Sequence, residues 1–463
     1  MPLTYQDALD WIYSFIDFSA KRLDKYAAAE FNLDRMVRLM RLMGDPHRRY
    51  PTLHLAGTKG KGSVSSLCAS ALTAGGYRTG FYTSPHLEDF RDRFRIDGRW
   101  IPPEAVTEIT AQLQSFAAQV PGITTFELTT AIGFEWFARE GVDVAVIEVG
   151  LGGRLDATNV LTPRVSVITA LSYDHMALLG DTLTQIAGEK AGIIKPGVPV
   201  VSALQHAESL AVLERVAAER GCPLTVAGRD VLFNPVAHSL AGQSFDVWTA
   251  EEARQLAALR TAGQSVAHWR PTRLEIPLLG VHQVENAATA YAALQALRAT
   301  GLPLSADAIR DGFKAVKWPG RFEVLGAAPY VVIDGAQNRE SARRLREAVD
   351  AYFADRRLIL VFGASADKDI AGMFTELLPR ASAVITTQAV HPRAADPDEL
   401  LALAQGLEAG ATIEPVAQVH RALTRARELA GPEDVILATG SLFVVSEARA
   451  ALVGDPAAYA KVK

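Results

Sequence analysis

Residues 52–66, TLHLAGTKGKGSVSS, limit what this chain can fold into more than any other stretch. Leu53 to Ala56 reads as a short buried strand, residues 57–63 as a glycine-dense loop, and Val64 to Thr73 as an amphipathic helix. A strand, a glycine-rich turn and a helix N-terminus together make an anion site: backbone N–H groups converge and the helix dipole favours negative charge. In Gly57-Thr58-Lys59-Gly60-Lys61-Gly62-Ser63 the glycines let the backbone approach a phosphate with no Cβ in the way, and Lys61 is placed to reach the outer phosphates. Position 55 is Leu, so the spacing is a shorter G-T-x-G-K-G-S form, not the strict G-x-x-x-x-G-K-[ST]. A plain surface turn of Gly and Lys needs neither the flanking strand nor the helix. The stretch predicts binding of a nucleoside triphosphate.

A length of 463 residues exceeds one ordinary core, so at least two domains are expected. Hydrophobic content of 49% with 21% charged residues is that of a globular protein, and a net charge of −5 gives no reason to expect nucleic-acid binding. Cys68 and Cys222 stand alone in apolar contexts, as buried thiols of a reducing compartment do. The opening MPLTYQDALDW is acidic and has no apolar run, which argues against export and for the cytoplasm. No run of 18 apolar residues predicts a membrane span.

Residues 4–20 and 30–43 carry apolar side chains at helical spacing. Residues 80–84 read as a second strand ending in Ser84-Pro85-His86, where Ser84 could face a metal on the phosphates or simply make a turn. After a helix over 103–119, Thr124-Thr125-Phe126-Glu127 precedes a helical pattern to Arg139. Thr125 as N-cap with Glu127 nearby accounts for two of these residues; the competing reading is a ligand-binding helix start with an exposed aromatic. Residues 142–149 (VDVAVIEV) form a near-continuous apolar strand, as in a parallel sheet covered on both faces. Glu148 interrupts it near the C-terminal end, where open α/β sheets place ligands, and a buried carboxylate is costly unless paired or bound to a cation. Glu148 is therefore a metal candidate. His175 follows the next strand, 165–169, and a helix over 182–191 carries Lys190. Residues 228–271 read as peripheral β-rich structure around one helix near 251–260. A helix with Asn286 in its first turns leads to Gly301-Leu302-Pro303, read as a linker dividing the chain into 1–299 and 300–463. Beyond it, strands at 330–333, 358–363, 383–387 and 435–439 alternate with helices, the pattern of a second, doubly wound α/β domain.

Taken together, GTKGKGS (57–63), TSPH (83–86), TTFE (124–127), EVGLGGRLDATN (148–159), the DH at 174–175, GEKAGIIK (188–195), HQVEN (282–286), PGRFE (319–323) and DGAQN (334–338) resemble the folylpolyglutamate synthase/dihydrofolate synthase family. These are two-domain relatives of the cell-wall Mur ligases. The match runs in order from about residue 30 to the C-terminus, and a phosphate loop opening at residue 57 leaves no room for the extra N-terminal nucleotide-sugar domain of the cell-wall enzymes. The fold implied is α/β: a P-loop-containing Mur-ligase-type domain followed by a smaller Rossmann-like one.

The resemblance implies an ATP-dependent ligase that joins L-glutamate to dihydropteroate and to folyl-glutamates through an acyl phosphate. ATP phosphates would lie on Thr58, Lys59, Gly60, Lys61, Gly62 and Ser63, with further nucleotide contacts from Asn286, Arg321 and Asp334. One magnesium would sit on Ser84 and Glu148 and a second on His175, while Lys190 matches a lysine that is carbamylated in the family. Lys61, His175 and Lys190 would carry the chemistry. The pterin end would meet Thr124, Thr125, Phe126, Glu127, Leu155, Asp156 and Ala157. LDATN at 155–159 resembles members acting on both dihydropteroate and folates; the narrower alternative only extends glutamate chains. The family's pattern further implies a monomer working on small molecules, without nucleic-acid or membrane partners. Two positions depart from common family forms: Gln337 stands where His is frequent, and Lys59 where many bacterial members have Asn. A P-loop regulator that merely hydrolyses ATP is a different class, and it would need no Glu148, His175 or Lys190. An oxidoreductase is disfavoured because no G-x-G-x-x-G with a following acidic residue opens either domain.

Overall fold

The phosphate-loop strand lies inside an eight-stranded sheet. The computed structural model describes residues 3–16, 32–266, 268–407 and 410–454. In chain order the first sheet uses β1 (Thr52–Ala56), β2 (Thr79–Tyr82), β3 (Phe94–Ile96), β4 (Arg99–Trp100), β5 (Val144–Glu148), β6 (Val165–Ile168), β7 (Val200–Ser202) and β8 (Leu224–Val226). Their spatial order is β4-β3-β2-β5-β1-β6-β7-β8. β2 through β8 run parallel across this order, with β3 and β4 added antiparallel at one edge. β1 and β5 are buried along their whole length, which explains the continuous apolar run of β5 and leaves Thr52 and His54 of β1 covered as well. The C-terminal ends of β1, β5 and β6 therefore come together, and the loops after them carry the candidate residues.

β9 (Val231–Ser239), β10 (Gly242–Thr249) and β11 (Thr272–Ile276) form a three-stranded antiparallel sheet, as the β-rich reading of 228–271 anticipates. Its helix Ala250–Thr261 has no buried residue. The last sheet contains β12 (Glu323–Ala327), β13 (Tyr330–Asp334), β14 (Leu358–Phe362), β15 (Ala381–Gln388), β16 (Thr412–Gln418) and β17 (Val435–Thr439), in the order β12-β13-β17-β14-β15-β16. All its pairings are parallel except β12 with β13. Helices on both faces make it the expected doubly wound unit.

Four expectations shift. The phosphate-loop helix spans Lys61–Ala74, one turn earlier than the apolar pattern, because Gly60 takes the left-handed conformation (φ +83°) that starts it. The N-cap of the helix Thr125–Arg139 is Thr124, not Thr125: Thr124 and Glu127 form a reciprocal capping box. The first helix is Tyr5–Tyr13 and the second Leu33–Leu42; the rest of the expected helix 4–20 from residue 17, and the start of 30–43, fall outside the described residues. Gly301-Leu302-Pro303 turns between two helices of one core. The helix Ala306–Ala315 lies so close to the phosphate-loop helix that a Cβ on Gly312 would stand 2.3 Å from Ala71 Cα. Leu304, Ala308, Ile309, Phe313 and Val316 complete the core that includes Val64, Leu67 and Leu72. We therefore propose that the first domain ends near Trp318, not at residue 299. Among the described residues no helix is long and apolar enough to cross a membrane.

Candidate active site

Three glycines of the phosphate loop are fixed by what touches them. A Cβ on Gly57 would fall 1.8 Å from Thr169 Oγ1, on Gly60 2.2 Å from Asn286 Oδ1, and on Gly62 2.5 Å from Trp318 Cζ2. The loop is clamped to the end of β6: the N–H groups of Thr58 and Lys59 both donate to the Ala170 carbonyl at 3.0 Å, and Thr58 Oγ1 donates to the Ser172 carbonyl at 3.1 Å. The cradle for an anion is thus the helix start. Lys61, Gly62 and Ser63 occupy its first turn, where N–H groups precede any intrahelical acceptor, whereas Val64 already bonds the Gly60 carbonyl at 2.9 Å.

Two lysine side chains meet on one carbonyl. Lys61 Nζ donates to Gly57 O at 3.1 Å and Lys190 Nζ donates to the same oxygen at 3.0 Å. Lys190 is only 4% exposed. Burial first, and then the nearby Lys61 charge, lower its pKa to about 7, so a large share of it is an uncharged amine at neutral pH.

Glu148 ends β5 fully buried. Burial raises its pKa, opposed by Lys61, by the Thr83 hydroxyl and Ser84 N–H that bond it, and by Arg321. The Ser84 hydroxyl oxygen beside it is buried with no hydrogen-bond partner. An unsatisfied hydroxyl next to a carboxylate is the oxygen-rich donor set that a hard divalent cation takes, so these residues fit magnesium. His175 adopts φ +51° after β6, and burial lowers its pKa to about 4, leaving a neutral ring able to act as a ligand. Among the described residues no three His, Cys, Asp or Glu side chains gather as a metal cluster.

The residues assigned to the pterin end are mostly occupied within the protein. Glu127 caps Thr124 and pairs with Arg35 at 3.0 Å; Thr125 Oγ1 donates to the Ile12 carbonyl at 3.0 Å. Asp156 accepts the N–H groups of Leu151 and Thr158, both at 2.9 Å, and so closes the loop after β5. Phe126 and Leu155 stay half-exposed, while Ala157 is buried. The Phe126 ring rests on Gly150, where a Cβ would stand 2.4 Å from Cζ, which brings the tetrad to the end of β5.

From the second domain, Asp334 accepts the N–H groups of Phe322 (2.8 Å) and Ala336 (2.9 Å), and half-buried Arg321 feels the charges of both Asp334 and Glu148. Asn286, at the loop through Gly60, also donates to Gln283 Oε1 at 3.0 Å. Sequence reading passed over Trp318, Thr83 and Lys368. Trp318 stacks under Arg95 and against Phe81, and Lys368 reaches the first domain. A lone Trp or Lys carries no motif and the TSPH stretch points to Ser84 first, so only the tertiary contacts reveal these three.

A parallel sheet with a phosphate loop, joined to a doubly wound domain that sends Arg321 and Lys368 into the same crevice, is the architecture of a Mur-type ligase. The Mur ligase middle domain matches residues 55–294, and the Mur ligase glutamate ligase domain matches 320–442. The dihydrofolate synthase/folylpolyglutamate synthase of Bacillus subtilis is 33% identical over 96% of this chain and 98% of its own. A probable bifunctional folylpolyglutamate synthase/dihydropteroate synthase of Haloferax volcanii is 36% identical over 96% of this chain, which spans only half of that protein. The structure of Mycobacterium tuberculosis folylpolyglutamate synthase complexed with ADP superposes with a TM-score of 0.84 at 31% identity, covering 98% of this chain and 99% of that one. The chain belongs to the folylpolyglutamate synthase/dihydrofolate synthase family.

Proposed function

We propose that this protein is an ATP-dependent ligase that adds L-glutamate to dihydropteroate and to folyl-glutamates, working as a cytoplasmic monomer. The observation that carries this reading is the crowding of Lys61 and Lys190 onto Gly57 O at the mouth of an anion cradle. A lysine pair gathered on one neutral acceptor beside the free N–H groups of the helix start makes a site built for a polyanion. In the first step the substrate carboxylate attacks the γ-phosphorus of ATP, giving an acyl phosphate and ADP. The glutamate amine then attacks the acyl carbon; phosphate leaves, an amide forms and one proton is released. The N–H groups of residues 61–63 hold the phosphates, and Lys61 turns from Gly57 O to neutralise charge on the transferred group. Ser84 and Glu148 would hold one magnesium and His175 a second, which supplies charge neutralisation on the phosphoryl oxygens. Asn286, Arg321 and Asp334 would fix the nucleotide between the domains, and Phe126 with Leu155 offers the apolar surface for the pteridine.

In this reading Lys190 carries a carbamate: its neutral amine adds to carbon dioxide and loses one proton. That replaces the cation crowding Lys61 with an anion able to receive the attacking amine's proton. The test is phosphate release dependent on L-glutamate, with dihydropteroate or a reduced folate as acceptor. Release with both is expected. Release with the folate alone reduces the protein to a chain extender, and release with neither overturns the reading.

A further inference from the structure

Asp174 lies beyond the end of β6, and groups from distant parts of the chain converge on its carboxylate. Lys59 of the phosphate loop reaches Oδ2 at 3.3 Å and Lys368, from the segment after β14, reaches Oδ1 at 3.1 Å. Asn338 Nδ2 stands 3.5 Å from Oδ2, and the N–H of His175 donates to Oδ1 at 3.0 Å. This is not a solvated surface pair, since the side chains of Asp174 and Lys368 are 9% and 12% exposed.

Both second-domain contributors are rigidly mounted. Lys368 N–H bonds the Ser365 carbonyl at 3.1 Å, and the next residue, Asp369, caps the helix Ile370–Leu377 through Gly372 N–H at 2.9 Å. Asn338 caps the helix Arg339–Phe353 in a capping box with Ser341. Where these two groups sit therefore records where the second domain sits. A second bridge closes another part of the crevice: Arg449 pairs with Glu323 at 3.1 Å within its own domain and with Glu88 of the first.

We propose that Lys368 is a positioning residue for the ligation reaction: by sharing Asp174 with Lys59, it fastens the second domain directly to the phosphate loop. Chain closure and nucleotide placement then report to one carboxylate. A charge pair of this kind, once broken, leaves the nucleotide cradle of Gly60–Ser63 and Asn286 intact but lets the groups on the second domain drift from it. The kinetic consequence rests on the ligase reading; the mechanical one does not.

The test compares Lys368→Met, which keeps the stem and removes the charge, with Lys368→Arg. In the ligase assay Lys368→Met should lose between about 10- and 100-fold in kcat, the cost of an ångström-scale misplacement, with the KM for ATP changed less than about threefold. Lys368→Arg should recover most of kcat. In ligand-free protein, amide exchange should quicken in residues 170–176 and 364–370 for Lys368→Met and for Lys59→Asn, and stay near wild type for Lys368→Arg. Unchanged exchange in Lys368→Met overturns the proposal. So does an activity loss expressed wholly in the KM for ATP, which would make Lys368 a nucleotide ligand. If wild-type protein ligates nothing yet exchange still quickens, the ligase reading fails and the fastening stands.

Discussion

Replacing Lys190 with Met should make the protein more stable at neutral pH while abolishing its activity. Burial, with Lys61 second, lowers the Lys190 pKa from 10.5 to about 7. At about 1.4 kcal/mol per pH unit, keeping this ammonium charged inside the fold costs roughly 5 kcal/mol relative to the unfolded chain. The sign follows from proton counting. Between pH 7 and 10.5 the unfolded chain holds a proton that the folded amine has released, so stability rises with pH across that window; below pH 7 the penalty is complete. Met has a stem of similar length and no charge. It forfeits the bond to Gly57 O, about 1.5–3 kcal/mol for a charged donor, but Lys61 still serves that oxygen at 3.1 Å. A net gain of roughly 2–3 kcal/mol is expected near pH 6.5, from the two preceding magnitudes.

The assay is urea unfolding of both proteins at pH 6.5 and 9.5 in carbon-dioxide-free buffer. The advantage of Lys190→Met should be clear at the lower pH and vanish or reverse at the higher one, as the wild type sheds its penalty. Groups that titrate in both proteins cancel in the difference. Bicarbonate at pH 7.5 should then stabilise the wild type alone, because a carbamate forms only on the folded protein's depressed amine. A Lys190→Met protein less stable than wild type at pH 6.5, or a difference independent of pH, would refute the argument.

Three more perturbations separate the parts of the site. Gly60→Ala places a Cβ 2.2 Å from Asn286 Oδ1 at φ +83°; it should weaken ATP binding at least about tenfold by calorimetry and cost about 1–2 kcal/mol of stability. Glu148→Gln should end ligation yet raise the melting temperature of metal-free protein, since burial raises the Glu148 pKa and its charged form opposes folding as pH rises through that value. Magnesium should stabilise the wild type and leave Glu148→Gln unmoved, and an equal response in both would remove Glu148 as a ligand. Phe126→Ala should raise the KM for the pteridine substrate about tenfold or more with the KM for ATP unchanged, whereas equal effects on both would place the ring outside the acceptor site.

Most of the architecture was legible because it rests on local rules. The continuous apolar run at β5 reads as a strand covered on both faces, and the carboxylate at its end must find a partner or a cation. Legibility failed where tertiary contact overrides local preference. Lys61-Gly62-Ser63 has the composition of a loop, but Trp318 and Asn286 close around it and hold a helical turn. Tandem threonines hid the cap, although Thr124 stands three residues before Glu127 and Thr125 does not, so the capping-box spacing could have decided it. The helix Ala306–Ala315 shows its stripe in sequence, but which domain it serves depends on Gly312 meeting Ala71. Lys368 lies 194 residues from Asp174, beyond the reach of any motif.

Which groups are already satisfied explains how the site can wait for its substrates. Asp156, Glu127, Thr125, Thr58 and Asp174 look like ligands in sequence, yet each is bound to other parts of the chain. Their side chains already hold together the loops that define the crevice. The groups left over are of another kind: the hydroxyl of Ser84, the N–H groups at the helix start, and an excess of lysine charge around Gly57 and Asp174. All of these require an anion or a cation that carries one. A catalyst that must stabilise charge appearing on a transferred phosphoryl group gains most from dipoles fixed beforehand, because nothing then needs to reorganise during the reaction. The internal hydrogen bonds of the carboxylates are how this chain keeps its cations and N–H groups in place, and the strain of like charges around Lys190 is the counterpart of that readiness.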